Sequence, residues 1–294
     1  MFEIQAMYRP ASVEDAIAAL NEEENAMLVA GGTDVWVQNR EGKHAGLKMI
    51  WIGDLPELKG VKREPDGTLV IGAATCFTDL TADPLIQRYL PMLGEAVDQV
   101  GSPQIRNVGT IGGNVCNGVT SADSAPSLFA LDAVLRLRGR LGERLIPIGE
   151  FYTGPGKTVR AHDELLMEIR VSRSSYDQVF GQYLKYGKRN AMEISTLGCA
   201  VTVRLDEQAQ KLEQIRIAYG VAAPTPIRCP EAETALIGRP ANRETALLAA
   251  DMAVAAISPR TSWRASKEFR VHLAHELCKR ATETAIQKAG GKAL

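Results

Sequence analysis

The sequence predicts an α+β protein, and three observations carry that reading. Short apolar runs bounded by Gly, Pro and Asp alternate with helical periods through the first part of the chain. From about Ser172 longer strand-like runs follow one another, with a polar turn near Glu207 to Lys211. The tail from Pro240 is rich in Ala and repeats with helical spacing.

Each element has a local reason. "PASVEDAIAAL" predicts a helix: Ser12 can cap it, Asp15 suits its first turn, and Val13, Ala16, Ile17 and Leu20 share one face. "AMLVA", Ala26 to Ala30, reads as a buried strand that stops at Gly31-Gly32-Thr33-Asp34. "VWVQ" can open a helix, and "KMIWI" is a second strand. "GVKREPDGTLVIGAAT" predicts a hairpin turning at Pro65-Asp66-Gly67. "CFTDLTADPLIQRYLPMLGEAVDQV" reads as two helices, with breaks near Asp83-Pro84 and Leu90-Pro91. "TIGGNVCNGVTSADSAP", Thr110 to Pro126, reads as a loop. "DAVLRLRGRLGERLIPIGEF" alternates like an antiparallel pair, and "DELLMEIRVS" is a further strand.

The bulk numbers fit a soluble globular chain of one large domain or two to three smaller ones. It has 294 residues, 45% hydrophobic and 23% charged. A net charge of -1 supplies no global field for nucleic acid or an anionic membrane. "MFEIQAMYRP" lacks the apolar stretch of a secretion signal, and no apolar run approaches the ~20 residues of a membrane span. A cytoplasmic location is expected. The five cysteines are odd in number and scattered, against a disulfide framework, an iron–sulfur cluster or a structural zinc. His272 and His275 are three apart, and no third metal ligand is evident.

Two stretches share a design: an apolar approach, paired glycines, then small polar residues. They are "LVAGGTDV", Leu28 to Val35, and "TIGGN", Thr110 to Asn114. Glycine lets successive N–H groups turn toward one point, and such nests bind phosphate oxygens. Thr33 and Thr110 add hydroxyls, and Asn114 an amide. A glycine pair is also the ordinary means of making a tight turn, so each loop taken singly leaves both readings open. No G-x-G-x-x-G follows a strand. "GPGKT", Gly154 to Thr158, imitates a P-loop end, but Phe151 stands where the first glycine belongs, so it reads as a turn.

Three longer stretches, "AGGTDV", "QIRNVGTIGGNVCNGVTSADSAPSLFALDAVL" and "SPRTSWRASKEFRVHL", together resemble the FAD-binding medium subunit of bacterial xanthine dehydrogenases, in the molybdenum hydroxylase family. The resemblance covers nearly the whole chain. It implies a two-subdomain FAD-binding fold of the vanillyl-alcohol-oxidase type over residues 1–175, divided near residue 58. It also implies a C-terminal domain of three strands and a helical bundle over 176–294. By position it assigns Leu28, Val29, Ala30, Gly31, Gly32, Thr33, Asp34 and Val35 to the FAD pyrophosphate and ribityl region. Thr110, Ile111, Gly112, Gly113 and Asn114 would form a second cradle. Asp123 would bond the nucleotide end, Leu166 and Lys185 would touch the flavin nucleotide, and Ile194 would sit by the reactive ring face. Val100 stands where animal relatives carry an aromatic ring.

The same resemblance implies partners. A molybdenum-cofactor large subunit would oxidise hypoxanthine or xanthine, and a small subunit with 2Fe-2S clusters would relay electrons to the FAD here. NAD+ would be the final acceptor, and no side chain need act as acid or base. Aldehyde, carbon monoxide or aroyl-CoA complexes, a self-sufficient flavin oxidoreductase and a flavin-free assembly subunit are the alternatives. "KYGKRNAMEI", Lys185 to Ile194, either steers the NAD diphosphate or is a solvated basic turn.

Overall fold

The computed structural model describes residues 4–291, so the first and last three residues of the two expected domains lie outside the described residues. The chain begins with β1 (Ala6–Tyr8), α1 (Val13–Glu22), β2 (Ala26–Val29), α2 (Val35–Arg40) and β3 (Lys48–Trp51). Ser12 caps α1 by accepting from the Asp15 amide at 3.1 Å. The helix buries Val13, Ala16, Ile17 and Leu20, as its spacing requires. The three strands pair in parallel in the order β1-β3-β2. β1 carries no apolar alternation and all three of its residues are exposed, so pattern alone could not find it.

The second unit starts with β4 (Val61–Arg63) and β5 (Leu69–Gly72), the expected hairpin. Its turn closes where the Gly67 amide donates to Glu64, with Gly67 at φ 88°. Three helices follow, not two: α3 (Phe77–Ala82), α4 (Pro84–Tyr89) and α5 (Pro91–Asp98). Both proline breaks are real. Each proline sits in a first turn, where its missing N–H costs nothing, and Asp83 caps α4 through the Leu85 amide at 2.8 Å. Next come α6 (Pro103–Arg106), α7 (Ile111–Cys116) and α8 (Ser124–Ala130), so the stretch read as a loop contains one short helix and the start of a second. Then follow β6 (Val134–Gly139), β7 (Gly142–Pro147), α9 (Ile148–Phe151), β8 (Tyr152–Gly154), β9 (Lys157–Thr158) and β10 (Leu165–Val171). The main sheet is antiparallel in the order β4-β5-β10-β6-β7, while β8 and β9 pair separately around the "GPGKT" turn.

The last unit has three long strands, β11 (Phe180–Tyr186), β12 (Leu197–Leu205) and β13 (Leu212–Gly220), and a two-residue fourth, β14 (Ile227–Arg228). They form an antiparallel sheet in chain order. The expected three-stranded sheet thus gains a short edge strand at Ile227. The helices α10 (Pro230–Leu236), α11 (Arg243–Ala253) and α12 (Lys267–Lys288) follow.

This last sheet is apolar on both faces. Tyr183, Ala200 and Ala218 join the core that holds Leu93, Leu128 and Phe129. Leu197, Cys199, Val201 and Ile217 join a second core with Ala274, Cys278 and Ile286 of α12. The alternation along β12 sends neighbours to opposite cores. Asp132, just after α8, accepts from Arg216 at 2.7 Å and from Arg228, which ties the unit before the sheet to its strands.

Candidate functional site

A cavity of about 350 Å³ opens between the first two units. Leu28, Ala30, Gly31, Gly32, Thr33, Asp34 and Val35 line one side. Thr110, Gly112, Gly113 and Asn114 line another, and Leu166 lies in the wall. The two glycine segments, far apart in sequence, therefore share one space. Val29 and Ile111 are buried side chains that do not line it.

Gly31 and Gly32 act differently. A Cβ on Gly31 would strike the Val108 carbonyl, so the bare Cα lets the first turn lie directly on the segment leading to Thr110. Gly32 has φ +69°, the left-handed region, and a Cβ there would meet the Trp36 indole. The turn they make is rich in open donors. Among the described residues, nothing accepts from the amides of Gly31, Gly32, Thr33, Asp34 or Val35.

The second segment departs from the expected amide cradle. The Ile111 amide donates to Thr75 at 3.1 Å, Gly112 to Ala73 at 2.8 Å and Asn114 to Thr110 at 3.0 Å. Thr110 Oγ1 accepts from the Gly113 amide at 3.1 Å, as the cap of α7. These donors are committed to the protein. Gly112 is needed for packing, since a Cβ would sit 2.5 Å from the Ala73 carbonyl oxygen. Asn114 Oδ1 accepts from Ser124 at 2.7 Å, which aims its Nδ2 elsewhere.

Gln38, His44, Asn117 and Arg160 also line the cavity and had no local sequence signal. Asp34 accepts from Asn117 Nδ2 at 2.9 Å and from Gln38, whose Oε1 meets His44 Nε2 at 2.9 Å. This chain of bonds fixes the first turn against the end of α7. Arg160 brings a positive charge to the wall and is anchored by donating to the Glu164 carbonyl at 2.7 Å. Gly156, inside the P-loop imitation, also lines the cavity; its amide donates to Gly118 at 2.9 Å. Ile52, Phe77 and Val100 supply apolar surface. Burial pushes the Cys116 thiol up to about 11, so this lining sulfur stays protonated at neutral pH.

Asp123, Lys185 and Ile194 do not line the cavity. Asp123 and Lys185 meet each other instead, Nζ to Oδ2 at 2.7 Å, both almost fully buried. Tyr183 donates to the other Asp123 oxygen at 2.8 Å, and Lys185 also donates to the Gln99 carbonyl at 2.9 Å. Burial pushes the Asp123 carboxyl up, against the pull of Lys185 and Tyr183. Ile194 is 51% exposed on the loop after β11. His275 pairs with Asp251 at 2.9 Å, while His272 stacks on Phe269.

The residues present fit a dinucleotide such as FAD. Five open amides and a cation offer partners to a diphosphate, and the apolar wall offers a bed for a planar ring. Residues 1–173 match the family model described as the FAD binding domain in molybdopterin dehydrogenase. The chain belongs to that FAD-binding family of the molybdopterin dehydrogenases. Within the family, residues 182–285 also match the CO dehydrogenase flavoprotein C-terminal domain. This flavoprotein is 43% identical to the xanthine dehydrogenase FAD-binding subunit of Escherichia coli O157:H7, over 99% of both chains. It is 33% identical to the carbon monoxide dehydrogenase medium chain of Hydrogenophaga pseudoflava, over 95% of this chain and 96% of that one. A solved carbon monoxide dehydrogenase from the same organism, lacking the Mo-pyranopterin moiety of its cofactor, superposes with a TM-score of 0.92 at 32% identity. That match covers 98% of this flavoprotein and 99% of the solved chain. The flavoprotein is an oxidoreductase subunit of the molybdenum hydroxylase type. Among its described residues no helix is long and apolar enough to cross a membrane.

Proposed function

We propose that this flavoprotein is the FAD subunit of a cytoplasmic xanthine dehydrogenase complex. In this reading residues 1–175 hold the FAD and 176–294 form the C-terminal domain. A molybdenum-cofactor large subunit oxidises hypoxanthine or xanthine. A 2Fe-2S small subunit relays the electrons singly to this chain, and they leave it as hydride to NAD+. The observation that carries the reading is the row of open amides from Gly31 to Val35, residues that line a cavity, in a chain similar throughout its length to such a subunit.

Those amides and the Thr33 hydroxyl would take the diphosphate oxygens. The Asp34 carboxylate, held by Asn117 and Gln38, would fix the turn so that its dipoles need not reorganise. Leu28, Ala30, Val35 and Leu166 would exclude water beside the bound group, and Gly112, Gly113 and Asn114 would set the opposite wall. Bound there, FAD supplies the exchange between single-electron and hydride transfer, and the protein supplies position and electrostatics. The buried Asp123–Lys185 pair lies beside Gln99, next to the lining residue Val100; in this reading it holds the nucleotide end indirectly.

The test is co-purification of a tagged chain. Two companions, one with molybdenum and one with iron, and NADH formed from xanthine are the expected results. The 33% identity to a carbon monoxide dehydrogenase medium chain favours a second reading, a related complex acting on an aldehyde, carbon monoxide or an aroyl-CoA. Turnover of one of those with none of xanthine selects it. Reduction of the isolated chain by a small organic substrate would overturn both.

A further inference from the structure

The stretch "SPRTSWRASKEFRVHL" carries part of the family resemblance, yet none of it lines the cavity. It contains an unusual charge arrangement. Arg270, in the first turn of α12, is only 2% exposed. Its Nη2 donates to Ser262 at 2.8 Å, and its enclosed Nε has no acceptor. Arg264 Nε is enclosed and without an acceptor as well. Among the described residues no carboxylate lies within ion-pair distance of Arg260, Arg264 or Arg270. Burial and the like charges of Arg260 and Arg264 push the Arg270 guanidinium down. The N-terminal end of a 22-residue helix adds a further positive field. Against these the cation has only the Ser262 hydroxyl and Glu268 of the same first turn, which does not reach ion-pair distance, and a further anion is what would balance it.

The surroundings identify the kind of anion. Trp263 is 76% exposed, with the Arg264 guanidinium 4.2 Å and the Lys188 ammonium 5.3 Å from its ring centre. Tyr186 meets Phe269 at 5.6 Å, and the loop after Tyr186 displays Met192, 60% exposed, and Ile194. A small free anion would account for the arginines but not for this apolar skirt. Trp, Tyr, Met and Arg gathered around a depleted acid count is the composition of a protein–protein contact. Arg189 does not add free charge, because Glu193 holds it at 2.8 Å.

We infer that the loop 186–194 and the segment 260–270 form a docking face for an acidic partner polypeptide. The partner covers Trp263 with apolar side chains and delivers a carboxylate to Arg264 and Arg270. The inference rests on the reading that this chain works inside a multi-subunit complex.

The test uses the co-expressed complex. Trp263→Ala alters an exposed side chain and Arg264→Glu a half-buried one, and the flavin content and melting temperature of each variant report whether the fold is kept. Each is expected to weaken partner binding roughly 30-fold or more, as for a truncated buried charge pair. Arg270→Met is the stricter variant, and its melting temperature shows whether a loss of partner is a loss of fold. Carbodiimide treatment of the wild-type complex should join Lys188 to an Asp or Glu of a partner subunit, read by mass spectrometry. Unchanged partner affinity in the Arg264→Glu and Trp263→Ala variants overturns the inference. So does a Lys188 cross-link only to a second copy of this chain, or protection of Lys188 by NAD+ with the partners absent. If the wild-type chain captures no partner at all, the proposed function itself falls; if only the variants behave like wild type, this inference alone falls.

Discussion

At the scale of single residues, two positions decide what the site can hold. Gly32→Val places a branched side chain at φ +69° and into the Trp36 indole. Left-handed backbone alone costs such a residue about 1–2 kcal/mol, and the turn must move to relieve the clash. The open amides from Gly31 to Val35 then shift with it. We expect FAD affinity to fall at least roughly tenfold, equivalent to one or two lost hydrogen bonds, with only partial loss of fold stability. The flavin-to-protein absorbance ratio and the urea midpoint report the two effects separately; full flavin in this variant would show that the turn does not carry the diphosphate. Lys185→Met is the second case. It leaves Asp123 buried with only Tyr183 as partner, which should cost about 3 kcal/mol. Lys185→Met combined with Asp123→Asn should recover part of that loss, which a double-mutant cycle by urea titration would measure. The pairing of Asp123 with Lys185 could not be read from sequence. The two stand 62 positions apart, and nothing in "SAD" or "YLK" announces the other.

At the scale of elements, local chemistry was legible where a segment answers only to itself. The capped α1, the β4–β5 hairpin and the proline-initiated α4 and α5 follow from Ser12, Gly67, Pro84 and Pro91. Short pieces that depend on distant partners were not. β1 exists because β3 accepts it as a neighbour, and α7 is short enough that its glycines read as loop. Its Thr110 cap nevertheless matters. Thr110→Val should destabilise by about 1 kcal/mol and free the Gly113 amide, both visible by hydrogen exchange and urea titration. The main sheet carries a pH-sensitive device of its own. Burial disfavours the charged form of Glu168, but bonds from Arg170 and Arg136 outweigh it and hold the carboxyl below the usual value. A carboxyl lowered on folding stabilises the protein above its unfolded pKa, and the contribution is lost as pH falls through the folded value. Glu168→Gln should therefore cost about 2 kcal/mol at pH 7 and flatten the fall in stability below pH 4.5, the ordinary glutamate value. Equal acid sensitivity in wild type and variant would remove this account.

At the scale of the whole molecule, the sheet β11–β14 belongs to two cores at once. One face completes the core that contains Leu128 and Phe129, and the other packs on α12. A chain cut at residue 175 would leave Leu93, Leu128 and Phe129 without their cover. We expect that fragment to aggregate or bind a hydrophobic dye, and the full chain to unfold in a single transition by calorimetry. A soluble, dye-silent fragment would show that the two parts are independent. The change of residue pattern near Ser172 was legible in the sequence; the shared sheet was not, since alternation along β12 does not say what lies on either side. That sheet has a consequence for any charge carrier brought to the face around Trp263. The end of β11 touches both places: Tyr186 meets Phe269 there, and Lys185, one residue earlier, bonds Gln99 beside the cavity wall. Tunnelling rates decay exponentially with the gap to be crossed. A visitor seated on that face would have its separation from the cavity set by two neighbouring residues of one strand.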